Sequence, residues 1–238
     1  MSIECPTPRR SEKPARRSRL TAAASLSLPS RPVRVETENF PLGDIAVFGL
    51  TATGKSGLVD RLVKGRKAVK VLHTDTMTVE RTGMSIDEIV AKYGWDYFRR
   101  EEAKSVLQAI KEQGPKIISL GGGALMNPAS AEALKKSGIT RVHVTASFET
   151  IDDRIMSDDG LERPELEKWR SRSERIEVLK KRWELRGDTF RESADVAIDT
   201  EGKDIEAVAA ETMRKIRELK ASRPAAPIRP PARRSRRI

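Results

Sequence analysis

Residues Gly49-Leu50-Thr51-Ala52-Thr53-Gly54-Lys55-Ser56 follow the spacing G-x-x-x-x-G-K-S: two glycines bracket four residues, and an ammonium and a hydroxyl come next. Glycines let a backbone turn with its N–H groups facing outward, and such a concavity attracts anions. With a helix N-terminus behind it, the loop is a cradle for phosphate oxygens, Lys55 reaches the β- and γ-phosphates, and the Ser56 hydroxyl is a ligand for Mg²⁺. The residues expected to touch nucleotide are Gly49, Thr51, Ala52, Thr53, Gly54, Lys55, Ser56 and Gly57. The flanks supply the context such a loop needs. An apolar run, Ile45-Ala46-Val47-Phe48, reads as a buried strand, and Gly57-Leu58-Val59-Asp60-Arg61-Leu62-Val63 has helical spacing.

Further candidates follow later apolar runs. Asp75, in His73-Thr74-Asp75, comes directly after a second strand-like run. Open α/β sheets bind ligands beyond the carboxyl ends of their strands, so Asp75 would enter the same crevice as the loop, where a carboxylate can hold substrate hydroxyls and accept a proton. An Asp at a strand end serves equally as a helix N-cap or turn residue. Gly121-Gly122-Gly123 follows a third run, and consecutive glycines let a backbone approach a ligand closely. Arg99, Arg163 and Arg186 are the arginines whose local sequence stands out, and a guanidinium can grip a carboxylate or stabilise a transferring phosphate.

Apolar runs at 44–50, 68–72, 116–120, 141–146 and 195–199 alternate with helix-patterned segments, firmest at 96–113 and 204–219. Such alternation predicts an α/β fold with a parallel sheet covered on both faces. In the last helix Ile205, Val208, Ala209, Met213 and Ile216 share one stripe and are expected in the core. The stretch 156–169 holds a Gly, a Pro and many charges, and reads as a mobile lid.

The chain has 238 residues and a formal charge of +11, of which +4 falls in 1–40 and +6 in 221–238, leaving +1 for 41–220. The basic character therefore belongs to the ends. Those ends are rich in Pro, Ser, Ala and Arg, so three regions are expected: a disordered basic extension at 1–40, a folded domain at 41–220 and a disordered basic tail at 221–238. The ends can attract polyanions weakly and without sequence specificity. The single cysteine, Cys5, excludes an internal disulfide framework and fits a reducing, cytoplasmic setting. The first segment is also compatible with a transit peptide, which would place the protein in a plastid or another organelle.

In order, these segments resemble the shikimate kinase family. The likeness is carried by Gly49–Ser56, Thr74-Asp75 with Val79-Glu80 and Gly83-Met84-Ser85-Ile86, Gly94-Trp95-Asp96-Tyr97-Phe98-Arg99-Arg100-Glu101-Glu102, Gly121-Gly122-Gly123, Arg163-Pro164, and Arg186 through Phe190 to Ala194-Asp195. The resemblance covers about 45 to 215. It implies a three-layer P-loop kinase fold, a five-stranded parallel sheet flanked by helices, with a lid. It also implies a monomeric enzyme that moves the γ-phosphoryl of ATP, with Mg²⁺, to the 3-hydroxyl of shikimate. Asp75 would then face the acceptor hydroxyls as base, Arg99 and Arg186 would clamp the carboxylate, and Gly121, Gly122 and Gly123 would shape the acceptor pocket. Arg163 would reach the transferring phosphate, Arg154 would lie near adenine, and Lys55, Asp75 and Arg163 would form the catalytic set. Two departures stand out. His73 takes a position where the family usually has an Asp holding the water shell of Mg²⁺, and Glu165 follows Arg163-Pro164 where the family commonly has Leu. Two other readings stay open: a related kinase for another small hydroxy acid, and a shikimate-kinase-like binding or regulatory protein with weak turnover.

Overall fold

The computed structural model describes residues 42–157 and 171–222. Five parallel strands form one sheet in the order β2-β3-β1-β4-β5: β1 (Ile45–Phe48), β2 (Lys70–His73), β3 (Lys116–Ser119), β4 (Thr140–Thr145) and β5 (Val196–Asp199). The strands match the five apolar runs to within two residues at either end, with β2 reaching one residue further to His73 and β4 starting one residue earlier at Thr140. Central β1 is fully buried, which is why it reads as an unbroken apolar run rather than an alternating one.

Alternation along the strands sorts two cores. Ile45 and Val47 of β1, Ile117 of β3, and Val142 and Val144 of β4 face α1 (Lys55–Val63) and the last helix, α7 (Ile205–Ser222). Ala46, Phe48 and Ile118 face the other layer: α3 (Ile86–Lys111), α4 (Pro128–Lys136), α5 (Phe148–Ser157) and α6 (Arg172–Ser193). A short helix, α2 (Thr74–Thr82), follows β2 directly.

The third helix begins earlier than the sequence pattern predicts. Ser85 and Glu88 close a reciprocal capping box at its start, and Gly94 (φ 80°, ψ 170°) kinks it, so the regular spacing visible in the sequence resumes only near residue 96. Ile205 corrects a second expectation: it is 39% exposed, while Val208, Ala209 and Ile216 of the same stripe are buried. As the first residue of α7 it stands at the ligand-binding edge of the sheet, beyond the reach of the core.

Two ion pairs fix elements that border the site. Asp195, just before β5, accepts from Arg141 through both carboxylate oxygens, at 2.9 and 3.0 Å. Arg175 of α6 donates to both carboxylate oxygens of buried Asp152 of α5, at 2.5 and 3.1 Å, joining the helices on either side of 158–170. The sequence-predicted lid lies almost wholly in that stretch, outside the described residues. No helix among the described residues is long and apolar enough to cross a membrane.

Candidate active site

A cleft of about 710 Å³ opens where β1, β2 and β3 end, lined by loop residues Thr51, Ala52, Gly54, Lys55, Ser56 and Gly57, by His73, Asp75 and Thr76, and by Ser119, Leu120 and Gly122. The loop's path depends on backbone freedom at three points. Gly49 (φ 149°) passes so close to β4 that a Cβ there would sit 2.2 Å from the Val144 carbonyl oxygen. Gly54 (φ 95°) is the N-cap of α1, and Ala52 (φ 54°) is left-handed without being glycine. The loop is also held from within and behind: buried Thr53 donates to the Leu50 carbonyl at 2.9 Å, and the Thr200 hydroxyl donates to the Thr53 carbonyl at 3.0 Å. Lys55 Nζ donates to the carbonyls of Gly49 (3.1 Å) and Leu50 (2.6 Å), which folds the ammonium over the cradle.

Asp75 sits in the first turn of α2, whose N-cap is His73, so it does not serve as a cap. Thr74 stitches this turn to the triple-glycine segment: its hydroxyl accepts from Gly121 N at 3.0 Å. The three glycines then act as spacers among charges. A Cβ at Gly121 would meet Asp75 Oδ1 at 2.3 Å and Glu102 Oε1 at 2.4 Å, and one at Gly123 would meet the Arg99 guanidinium at 2.5 Å. Arg186 Nη1 donates to the Gly122 carbonyl at 2.9 Å. Four charged side chains from α2, α3 and α6 thus converge on one turn.

Glu102 is the residue of this group to which sequence reasoning gave no role, although it lies one helical turn from Arg99, the spacing at which an ion pair forms. Its Oε2 accepts from Arg99 Nη1 at 2.6 Å, while Oε1 is buried without a hydrogen-bond partner. Burial raises the Glu102 pKa, opposed chiefly by Arg99. Asp75 opens onto the cleft, yet the protein around its carboxyl raises its pKa too, against the pull of Lys55, Arg99 and His73. Two carboxyls held above their ordinary range beside a cation cluster are suited to proton exchange with a bound hydroxyl.

A second cleft of about 540 Å³ shares Gly54, Gly57 and Arg154 with the first, and Lys64, Lys203 and Ile205 also line it. Arg154 donates to the Thr200 hydroxyl at 2.9 Å and to the Ala52 carbonyl at 3.4 Å, so it braces the loop at the junction of the two clefts. Arg163 lies outside the described residues. Of the other sequence-predicted residues, Thr51, Ala52, Gly54, Lys55, Ser56, Gly57, Asp75 and Gly122 line the main cleft, Gly49 and Thr53 do not, and Arg99, Gly121, Gly123 and Arg186 cluster beside Asp75 and Gly122.

The sequence model of the family described as Shikimate kinase matches residues 51–217. A shikimate kinase of Geobacter metallireducens is 34% identical over 168 residues, covering 71% of this chain and 88% of that protein. One of Geobacter sulfurreducens is 32% identical, covering 74% and 91%. Among solved structures, a shikimate kinase from Acinetobacter baumannii in complex with shikimate superposes with a TM-score of 0.64 at 23% identity, over 75% of this chain and 94% of that one. The shikimate kinase from Aquifex aeolicus gives 0.60, also at 23% identity, over 75% and 99%.

Proposed function

The chain belongs to the shikimate kinase family, and from that premise we infer that it phosphorylates shikimate with ATP at the cleft between the Gly49–Ser56 loop and the Gly121–Gly123 turn. The observation that carries the reading is the convergence of Asp75, Arg99 and Arg186 on that turn, next to the loop. Shikimate is a carboxylate with ring hydroxyls, and a site built from two guanidiniums and one carboxylate matches both ends of it.

The loop's N–H groups and Lys55 hold the β- and γ-phosphates, with Lys55 leaving the carbonyls it now caps. Arg99 and Arg186 bind the acceptor carboxylate and so aim the 3-hydroxyl at the γ-phosphate. Asp75 accepts the hydroxyl proton. Adenine belongs in the second cleft, between Arg154 and Ile205. Arg163 serves the transferring phosphate, the role that the family resemblance implies for it. Such a division suits phosphoryl transfer, in which positioning and charge stabilisation do most of the work. Mg²⁺ fits the oxygen donors here, the Ser56 hydroxyl and the phosphates themselves, and when bound it neutralises charge on the β- and γ-oxygens. We further propose that residues 41–220 act as one catalytic unit, as a monomer in the cytoplasm.

The test is release of ADP by purified protein with ATP and Mg²⁺ against shikimate, a neutral cyclic polyol and an open-chain hydroxy acid. Turnover with shikimate, lost in Lys55→Ala while the fold persists, is the expected result. A preference for the open-chain acid would favour the related-kinase reading, and shikimate binding without ADP release would favour the binding-protein reading.

A further inference from the structure

A smaller cavity of about 120 Å³ shares no lining residue with either cleft. It is bounded by Leu50 and Thr53 of the phosphate loop, by the end of β4 from His143 to Ala146, by Phe148 and Ile151 of α5, and by Trp183 of α6. Six of its nine lining residues are apolar, and of the three polar ones His143 is left without a partner. His143 is 3% exposed, and its Nε2 is buried with no hydrogen-bond partner. The hydroxyls of the other two polar residues are already engaged, Thr53 with the Leu50 carbonyl and Thr145 with the Ile198 carbonyl.

The histidine is also held flat. Its ring lies parallel to Phe48 (5.4 Å between centroids, 7° between planes) and to Trp183 (5.9 Å, 11°), with Phe190 at 5.3 Å. Strand alternation explains the placement: Val142 and Val144 point into one core, so His143 must point into the other. An orphaned ring nitrogen in such surroundings costs stability unless something satisfies it. Cavities of roughly this size with apolar walls take up molecules as large as benzene.

We propose that this cavity binds a small planar aromatic molecule carrying one hydroxyl, with its ring against Phe148, Ile151 and Trp183 and its hydroxyl on His143 Nε2. A hydroxyl both donates and accepts, so it pairs with either neutral tautomer of the imidazole. His143 is neutral at pH 7, because burial lowers its pKa to about 4. Occupation bears on the phosphate loop directly. Leu50 and Thr53 form one wall, and the Leu50 carbonyl is the acceptor that holds both Thr53 and Lys55. A guest that props this wall fixes the loop from beneath and alters ATP binding without touching the acceptor end. The binding itself does not depend on the catalytic reading.

Phenol is the probe and benzene its control. The chain has two histidines, so the ring resonances of His143 can be followed beside those of His73. Phenol should shift the His143 signals saturably, with Kd on the order of 1 mM or tighter, as befits so small a ligand. Benzene should bind at least about fivefold more weakly, since it lacks the hydroxyl that supplies the pairing. Ala146→Ile, which fills the cavity from its wall, should abolish binding of both while turnover without phenol is kept. His143→Phe should erase the preference for phenol. In the wild type, saturating phenol should change the ATP KM at least about twofold and leave the acceptor KM unmoved. Equal binding of phenol and benzene, persistence of binding in Ala146→Ile, or a cavity that holds only water would each overturn the proposal. The comparison of the two probes needs no variant, so a failure of either variant to fold leaves the test decisive.

Discussion

Arg99 and Arg186 belong to different helices and lie 87 positions apart, yet one packs against Gly123 and the other bonds to Gly122. Replacing either with Ala should raise the acceptor KM at least about tenfold, equivalent to ~1.4 kcal/mol of charge-assisted binding, with a much smaller effect on the ATP KM. Arg99→Ala should in addition lower the melting temperature, because the buried Glu102 carboxyl loses the guanidinium that bonds its Oε2. Adding Glu102→Gln should restore stability but not the KM, a separation that steady-state kinetics and calorimetry can check together. His73 invites a different measurement. An imidazole in the cleft offers no negative charge to a hard cation, so His73→Asp should lower the Mg²⁺ concentration needed for half-maximal rate without altering acceptor choice. An unchanged Mg²⁺ dependence would give His73 another task, such as contact with the acceptor.

At the scale of elements, the passage from β1 into the loop is the tightest point in the site. A methyl group on Gly49 would have to displace the Val144 carbonyl, which is backbone of a central strand and cannot swing aside as a side chain can. Gly49→Ala should therefore destabilise the fold by about 2 kcal/mol or more and remove turnover, measurable by denaturant unfolding beside the ADP assay. The β1-to-loop-to-α1 unit was legible in the sequence because its glycines and apolar run answer to local rules. The start of α3 was not: the Ser85 to Glu88 box is a readable signal, but Gly94 broke the periodicity on which the helix assignment depended.

For the molecule as a whole, the two ends carry most of the net charge, +4 in 1–40 and +6 in 221–238 of the total +11. Lys220 packs against Gly43, so both ends of the described chain meet at the pole opposite the cleft. The sequence beyond them carries one hexapeptide twice, Pro-Ala-Arg-Arg-Ser-Arg at 14–19 and 231–236. Deleting 1–38 and 223–238 should leave turnover and melting temperature unchanged, and should remove a steeply salt-dependent binding of nucleic acid by the intact chain. Loss of activity on trimming would mean that the catalytic unit extends past 41–220. Global stability should also report on His143. The unfolded chain takes up a proton near pH 6.5, whereas the folded chain holds it off until about pH 4, so stability should fall as pH drops through this window by up to about 3 kcal/mol. His143→Phe should flatten that part of the stability curve.

The sequence by itself determined the parallel sheet, the phosphate loop and the chain's nearly neutral centre, because each depends on neighbours in the chain: apolar runs of strand length, glycines at fixed spacing, charges that can be counted. It also presented Asp75, Arg99, Arg186 and the three glycines as candidates. Only the tertiary structure decided how they meet. Gly121 is a glycine because carboxylates from α2 and α3 occupy the space where its Cβ would be, and Glu102 enters the site through that same crowding. Likewise Ile205 left the core stripe, and His143 came to line a cavity between β4, α5 and α6. Contacts between segments far apart in the chain leave no periodic trace in any one of them, so they exist only once the sheet has brought its strand ends together.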